Sequence, residues 1–149
     1  MEFIVDACNL SYLMGWDDLP MKLLKEKMIE LFKKQSNTHR IHLIFDGSYS
    51  CIDLHEQHNI KTVHTTIDLS ADEWIIDEVR SSKKGRFTLI TDDNEIIQRC
   101  KPYLYAHIKA SKFVESTKTK TTNKDNKPET EYRNKFWQSH YLGIFTNND

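Results

Sequence analysis

The residues of this chain best suited to chemistry are acids that stand just beyond short apolar runs. Phe87-Thr88-Leu89-Ile90 leads into Thr91-Asp92-Asp93-Asn94-Glu95-Ile96-Ile97. Two adjacent carboxylates, with a third two residues on, therefore sit where a strand gives way to a helix. Phe3-Ile4-Val5 ends on Asp6, with Asn9 three residues later, and Ile41-His42-Leu43-Ile44-Phe45 ends on Asp46-Gly47. Asp72 stands at another helix start, in Ser70-Ala71-Asp72-Glu73. Each acid has an ordinary explanation by itself, since Asp caps helices and Asp-Gly forms turns. Together they are harder to dismiss, because each carboxylate raises the cost of ionising its neighbours. Such a cluster, without paired bases, calls for a cation, and hard oxygen ligands suit Mg²⁺ or Mn²⁺. Those ions activate water and stabilise the leaving oxygen of a phosphodiester.

The elements that must position these acids alternate between strand and helix, which predicts an α/β fold in three layers around a central parallel sheet. Right-handed crossovers then bring the C-terminal ends of the strands to one rim, where ligands bind in such sheets. Leu10 to Pro20 reads as a connection, and Met21 to Gln35 as a helix with Leu24, Met28, Leu31 and Phe32 inward. Ser48 to Asn59 reads as an exposed loop or short helix, and Ile60 to Thr66 as a half-exposed strand near the sheet edge. His39 and His42, like His55 and His58, share a spacing that could place two ligands on one helix face, but no third ligand accompanies either pair. Ser70 with Glu73 forms a capping box. Ala106 to Ala110 is the last short strand. From Glu115 to Glu131 apolar residues give way to Thr and Lys, read as a linker, and Tyr132 to Leu142 as an aromatic helix.

The 149 residues, with 29% charged and a net charge of −1, suit one cored domain and exclude a basic nucleic-acid coat. Cys8, Cys51 and Cys100 are isolated and lack C-x-x-C spacing, so a reduced, cytoplasmic chain without a disulfide-linked partner is expected. The first residues do not read as a signal peptide, and no stretch has membrane-spanning length. A haloacid-type phosphatase would need D-x-D after the first strand, which Asp6-Ala7-Cys8 lacks.

Val5-Asp6-Ala7-Cys8-Asn9-Leu10, Phe45-Asp46-Gly47, Ala71-Asp72-Glu73-Trp74-Ile75 and Thr91-Asp92-Asp93-Asn94-Glu95 resemble, in order and spacing, the motifs of NYN domains in the PIN-like nuclease superfamily. The YacP-like ribonuclease branch is the nearest in pattern. The chain departs at Ala7-Cys8, where the family usually has Gly and an aromatic. The resemblance implies a PIN-like (Rossmann-like) catalytic domain over 1–114, a linker or loop over 115–131 and a C-terminal helix over 132–149. It implies a metal-dependent endoribonuclease leaving a 3′-hydroxyl and a 5′-phosphate. Asp6, Asn9, Asp46, Asp72 and Asp93 are its candidate catalytic residues. Asp6, Asp72 and Asp93 would hold Mg²⁺ or Mn²⁺, with Asp92 and Glu95 as further candidates, while Asp46 and Asn9 orient water. Lys83, Lys84, Arg86 and Lys109 are candidate RNA contacts. The expected partner is RNA, mRNA included, with the ribosome a candidate platform and no membrane. The rival reading is a non-catalytic RNA- or ribosome-binding module of the same fold.

Overall fold

The computed structural model describes residues 1–49 and 52–122. A six-stranded sheet runs through it, built from β1 (Glu2–Asp6), β2 (Arg40–Tyr49), β3 (Asp53–Gln57), β4 (Ile60–Thr66), β5 (Phe87–Ile90) and β6 (Ala106–Ile108). The helices are α1 (Ala7–Leu13), α2 (Met21–Phe32), α3 (Ala71–Ser81), α4 (Asn94–Cys100) and α5 (Ala110–Thr122). The strand order is β3-β4-β2-β1-β5-β6, with every pairing parallel except β3 with β4.

Period-two alternation divides the apolar residues between two cores. Phe3 and Val5 of β1, with Ile41, Leu43 and Phe45 of β2, pack against α1, α2 and α5. Ile4, Ile44, Phe87 and Leu89 pack against α3 and α4 on the other face. The three-layer α/β/α expectation is thus met, with one antiparallel edge strand added. From β1 the chain first builds outward through β2 and β4, then returns to place β5 on β1's other side. Such a reversal is where open α/β sheets bind ligands, at the carboxyl ends of β1 and β5, and the register places Val5 beside Ile90 there.

Several local expectations are corrected. The connection is shorter than Leu10 to Pro20: α1 begins directly after β1, with Asp6 as its N-cap, and takes in Leu10–Leu13, so only residues 14–20 lead to α2. Residues 53–57 are neither loop nor helix but an exposed strand in a hairpin with β4. His58 and Asn59, at φ 52 and 63, form its two-residue turn, as primed turns require. His55 and His58 therefore share no helix. β4 is no half-exposed edge, since Thr62, Val63, His64 and Thr65 are all buried between β2 and β3. Phe113 and Val114 are core residues of α5, which runs to Thr122, well into the stretch read as a linker. Residues 123–131 and the aromatic helix over 132–149 lie outside the described residues. No helix among the described residues is long and apolar enough to cross a membrane.

Candidate metal and nuclease site

The rim is assembled by helix N-termini, each held by a carboxylate. Asp6 Oδ1 accepts the backbone N–H of Asn9 at 3.3 Å at the start of α1. Asp93 caps α4, its Oδ1 accepting from Glu95 N at 2.9 Å and Ile96 N at 3.4 Å. Asp46 Oδ1 accepts from Ala71 N at 2.7 Å, on the first residue of α3. Ser70 completes that end as N-cap, accepting from Glu73 N at 3.2 Å, as the capping box predicts. Asp92 Oδ1 accepts both the N–H and the hydroxyl of Ser111 in α5, at 3.0 and 3.2 Å. The positive ends of these helices offset part of the repulsion among the acids.

Side chains then tie the pieces together. The buried Thr91 hydroxyl donates to Asp6 Oδ2 at 3.1 Å and accepts from Asp93 N at 3.1 Å, so one group spans both acids. Asn9 Oδ1 accepts from Asp92 N at 2.9 Å, joining α1 to the turn after β5. Cys8 Sγ accepts from Asp46 N at 3.3 Å. Burial, with the charges of Asp46, Asp6 and Asp72, pushes the Cys8 thiol up to about 11, so it is a neutral thiol in this setting. Thr91, Cys8 and Ser111 are the working residues that sequence reasoning did not assign. Thr91 was visible in the T-x-D motif, whereas the roles of Cys8 and Ser111 depend on contacts distant in the chain.

Electrostatics separates this rim from an ordinary set of caps. Asp6 is only 5% exposed. Burial, assisted by Asp72 and Asp46 and opposed by the Asn9 and Thr91 hydrogen bonds, raises its pKa to about 6. The pKa of Asp72 is also raised, by burial and by the charges of Asp93, Asp46, Glu95 and Glu73. Among the described residues, no Lys, Arg or His forms an ion pair with Asp6, Asp46, Asp72 or Asp93. The Asp6 shift fixes a sign. Its folded-state pKa lies above the ordinary value of 3.8, so the ionised form is penalised by folding and stability falls as pH rises from about 4 through about 6. Asp6→Asn should therefore be more stable than the parent at pH 7.5, by on the order of 1–2 kcal/mol after some loss at Thr91. That advantage should vanish towards pH 4, and urea unfolding at both pH values checks it.

The carboxylate oxygens of Asp46, Asp72 and Asp93 suit a hard divalent ion. No described hydrogen-bond donor engages the Asp72 carboxylate, Asp46 Oδ2 or Asp93 Oδ2. The arrangement is nevertheless open: no three acidic, His or Cys side chains among the described residues are grouped to hold a metal as they stand. Glu95 is exposed at the start of α4, and Asp92 is engaged with Ser111.

The basic candidates divide. Lys83 and Lys84 are exposed in the turn before β5, and Arg86 sits at its entry, so all three lie at the opposite edge of the sheet from the acids. Arg86 donates to Glu2 Oε2 at 3.0 Å and to Ser82 Oγ at 3.1 Å. His42 is buried beside it and contacts the same Glu2 oxygen at 2.7 Å. Burial lowers the His42 pKa despite the carboxylate. Lys109 follows β6 at the acid rim and donates to Asn94 Oδ1 at 2.7 Å.

Comparison with known proteins agrees with this fold. The sequence model of the YacP-like NYN domain matches residues 17–144. Crystal structures of Rae1 (YacP) from Bacillus subtilis share the fold. The wild type superposes with TM-score 0.58 at 16% identity, covering 99% of this chain and 88% of that one. The W164L mutant gives TM-score 0.56 at 16% identity, with 96% and 87% covered. No curated protein matches the chain. With a family match across most of its length, on a doubly wound sheet whose acids gather at the switch point, this chain belongs to the YacP-like NYN domains, a nuclease-like, RNA-related family.

Proposed function

We propose that the protein is a metal-dependent endoribonuclease, working in the cytoplasm on RNA such as mRNA. The observation that carries this reading is the convergence of Asp6, Asp46, Asp72 and Asp93 on one rim with no cationic partner among the described residues, at a cost visible in the raised pKa of Asp6. Asp72 and Asp93 would hold Mg²⁺ or Mn²⁺ as expected. Asp46, first assigned to water, joins them in place of Asp6, because its Oδ2 is unengaged whereas both oxygens of buried Asp6 are hydrogen-bonded. A divalent ion there supplies charge to offset a phosphodiester and to acidify water. Asn9 and Thr91 act as positioning residues, fixing Asp92, Asp93 and Asp6 relative to one another. Asp92, bonded to α5, serves the frame rather than the ion, and exposed Glu95 adds negative field. Lys109 lies at the rim where a phosphate backbone would pass. Cleavage by activated water leaves a 3′-hydroxyl and a 5′-phosphate.

The open spacing of the acids favours a second reading, a module that holds RNA or docks on a ribosome without cutting. Thermal unfolding with Mn²⁺ separates the two. The nuclease reading expects millimolar Mn²⁺ to raise the midpoint by a few degrees, an effect that Asp72→Asn removes. A midpoint indifferent to Mn²⁺ would favour the module.

A further inference from the structure

The loop from α1 to α2 presents an aromatic ring in a built setting. Gly15, at φ 75, turns the chain in a conformation that favours glycine, and Trp16 N–H returns to Ser11 O at 2.8 Å. The half-buried Trp16 packs against the core beneath α1 and α2. It lines an open groove of about 670 Å³ with Met14 and Leu31, and Lys27, Lys33 and Lys34 stand around it. The Lys27 ammonium lies 5.3 Å from the Trp16 ring centroid. Glu30 also borders the groove and pairs loosely with Lys33, at 4.0 Å between exposed side chains.

Charge points to the occupant. Residues 17–37 carry five lysines against four acids, the exposed Asp17 and Asp18 beside Trp16 included, but the groove itself is lined by Lys27, Lys33 and Lys34 against Glu30 alone. The groove is therefore locally attractive to a polyanion, whereas α3, with four acids against one arginine, repels it. An indole held in a lysine-rimmed groove is what single strands use, because every base has a face to stack and every phosphate a charge to neutralise. The groove lies at the far end of α1 from Asp6, roughly 10 Å along a seven-residue helix, so one strand could reach both places.

We infer that this groove docks single-stranded RNA, with a base stacked on Trp16 and adjacent phosphates met by Lys27 and Lys33, outside the carboxylate rim. The choice of RNA as ligand rests on the function proposed above. Binding of a short labelled oligouridine is measured by anisotropy in EDTA, for the full chain and for Trp16→Ala, Trp16→Phe and Lys27→Gln. Trp16→Ala should bind about tenfold more weakly, Trp16→Phe should keep most of the affinity, and Lys27→Gln should flatten the salt dependence. In wild type, bromouridine RNA should crosslink at Trp16. Equal affinity across the four proteins, or crosslinks confined to other aromatics, overturns the inference. The readout contains no cleavage, so the two claims fail separately. Trp16-dependent binding by a protein that cuts nothing under Mn²⁺ keeps the groove and ends the nuclease reading. Cleavage with Trp16-independent binding does the reverse.

Discussion

On the proposed nuclease reading, Asp93→Asn is expected to give a folded protein whose RNA cleavage is lost. The fold survives because the amide oxygen can still accept from Glu95 N and Ile96 N, and Asn caps helices about as well as Asp. Lost attraction to the helix end is offset by relief of the repulsion that Asp93 exerts on Asp72, so stability should change by less than about 1 kcal/mol. Activity should fall at least about 10²-fold, because metal stabilisation is worth several kcal/mol and each 1.4 kcal/mol is a factor of ten. Asp93→Ala is the informative companion, since it removes the cap as well and should cost about 1 kcal/mol in addition to activity. Urea midpoints beside cleavage rates separate the two roles. If Asp93→Asn unfolds while activity per folded molecule is unchanged, Asp93 is a cap and nothing more.

Gly47→Ala should be the most damaging of the Gly→Ala changes at the described glycines. An added Cβ would be driven into the backbone carbonyl oxygen of Thr65, and no flexible side chain is there to yield. The Gly47 N–H is already held by Thr65 Oγ1 at 3.3 Å, and the β2–β4 register shifts between Phe45 and Tyr49. β2 must therefore separate from β4, at a cost of about 3 kcal/mol or more. For a chain of this size that lowers the melting midpoint by roughly 10 °C. Asp46 is the preceding residue, so the same displacement loosens its bond to Ala71 N and the start of α3. Gly15→Ala is the natural contrast, since nothing lies within 4 Å of its Cβ and only its φ of 75° resists substitution. It should lose about 1–2 kcal/mol. Equal midpoints for the two variants would contradict the close approach.

What could be read from the sequence follows from how local each signal is. β5 and the start of α4 were legible because an apolar run, a T-x-D turn and a helical pattern fall within eleven residues, and the capping box at Ser70 was equally self-contained. α1 was missed because Asp6 both ends β1 and caps the helix, leaving no connection to mark its start, and because Cys8, Asn9 and Ser11 are weak helix formers. β3 has no apolar face, and its identity comes from pairing with β4 across a turn lacking glycine. β4 reads as half-exposed because its interior is polar: Thr62 Oγ1 reaches His55 O at 3.3 Å and Thr65 Oγ1 reaches Phe45 O at 3.4 Å. Those partners are invisible along the chain. Lys83, Lys84 and Arg86 were named only as RNA contacts, although strand direction already puts residues before β5 at the opposite edge from those after it. The four acids were legible as a set because Asp6, Asp46 and Asp93 each follow an apolar run and Asp72 stands at a marked helix start. That Asp6, Asp46 and Asp93, joined by Asp92, accept from the starts of four different helices needed the structure.

The most direct test of the metal-dependent nuclease is the fate of an end-labelled, largely single-stranded RNA incubated with the wild-type chain in Mn²⁺ or Mg²⁺ and, in parallel, in EDTA. The account predicts internal cuts with 5′-phosphate ends in metal, none in EDTA, and none with Asp93→Asn in either. Cutting that persists undiminished in EDTA or with Asp93→Asn would place the chemistry elsewhere. An intact RNA in metal, from a wild-type protein shown to be folded and to bind that RNA, would contradict the account in favour of a binding module.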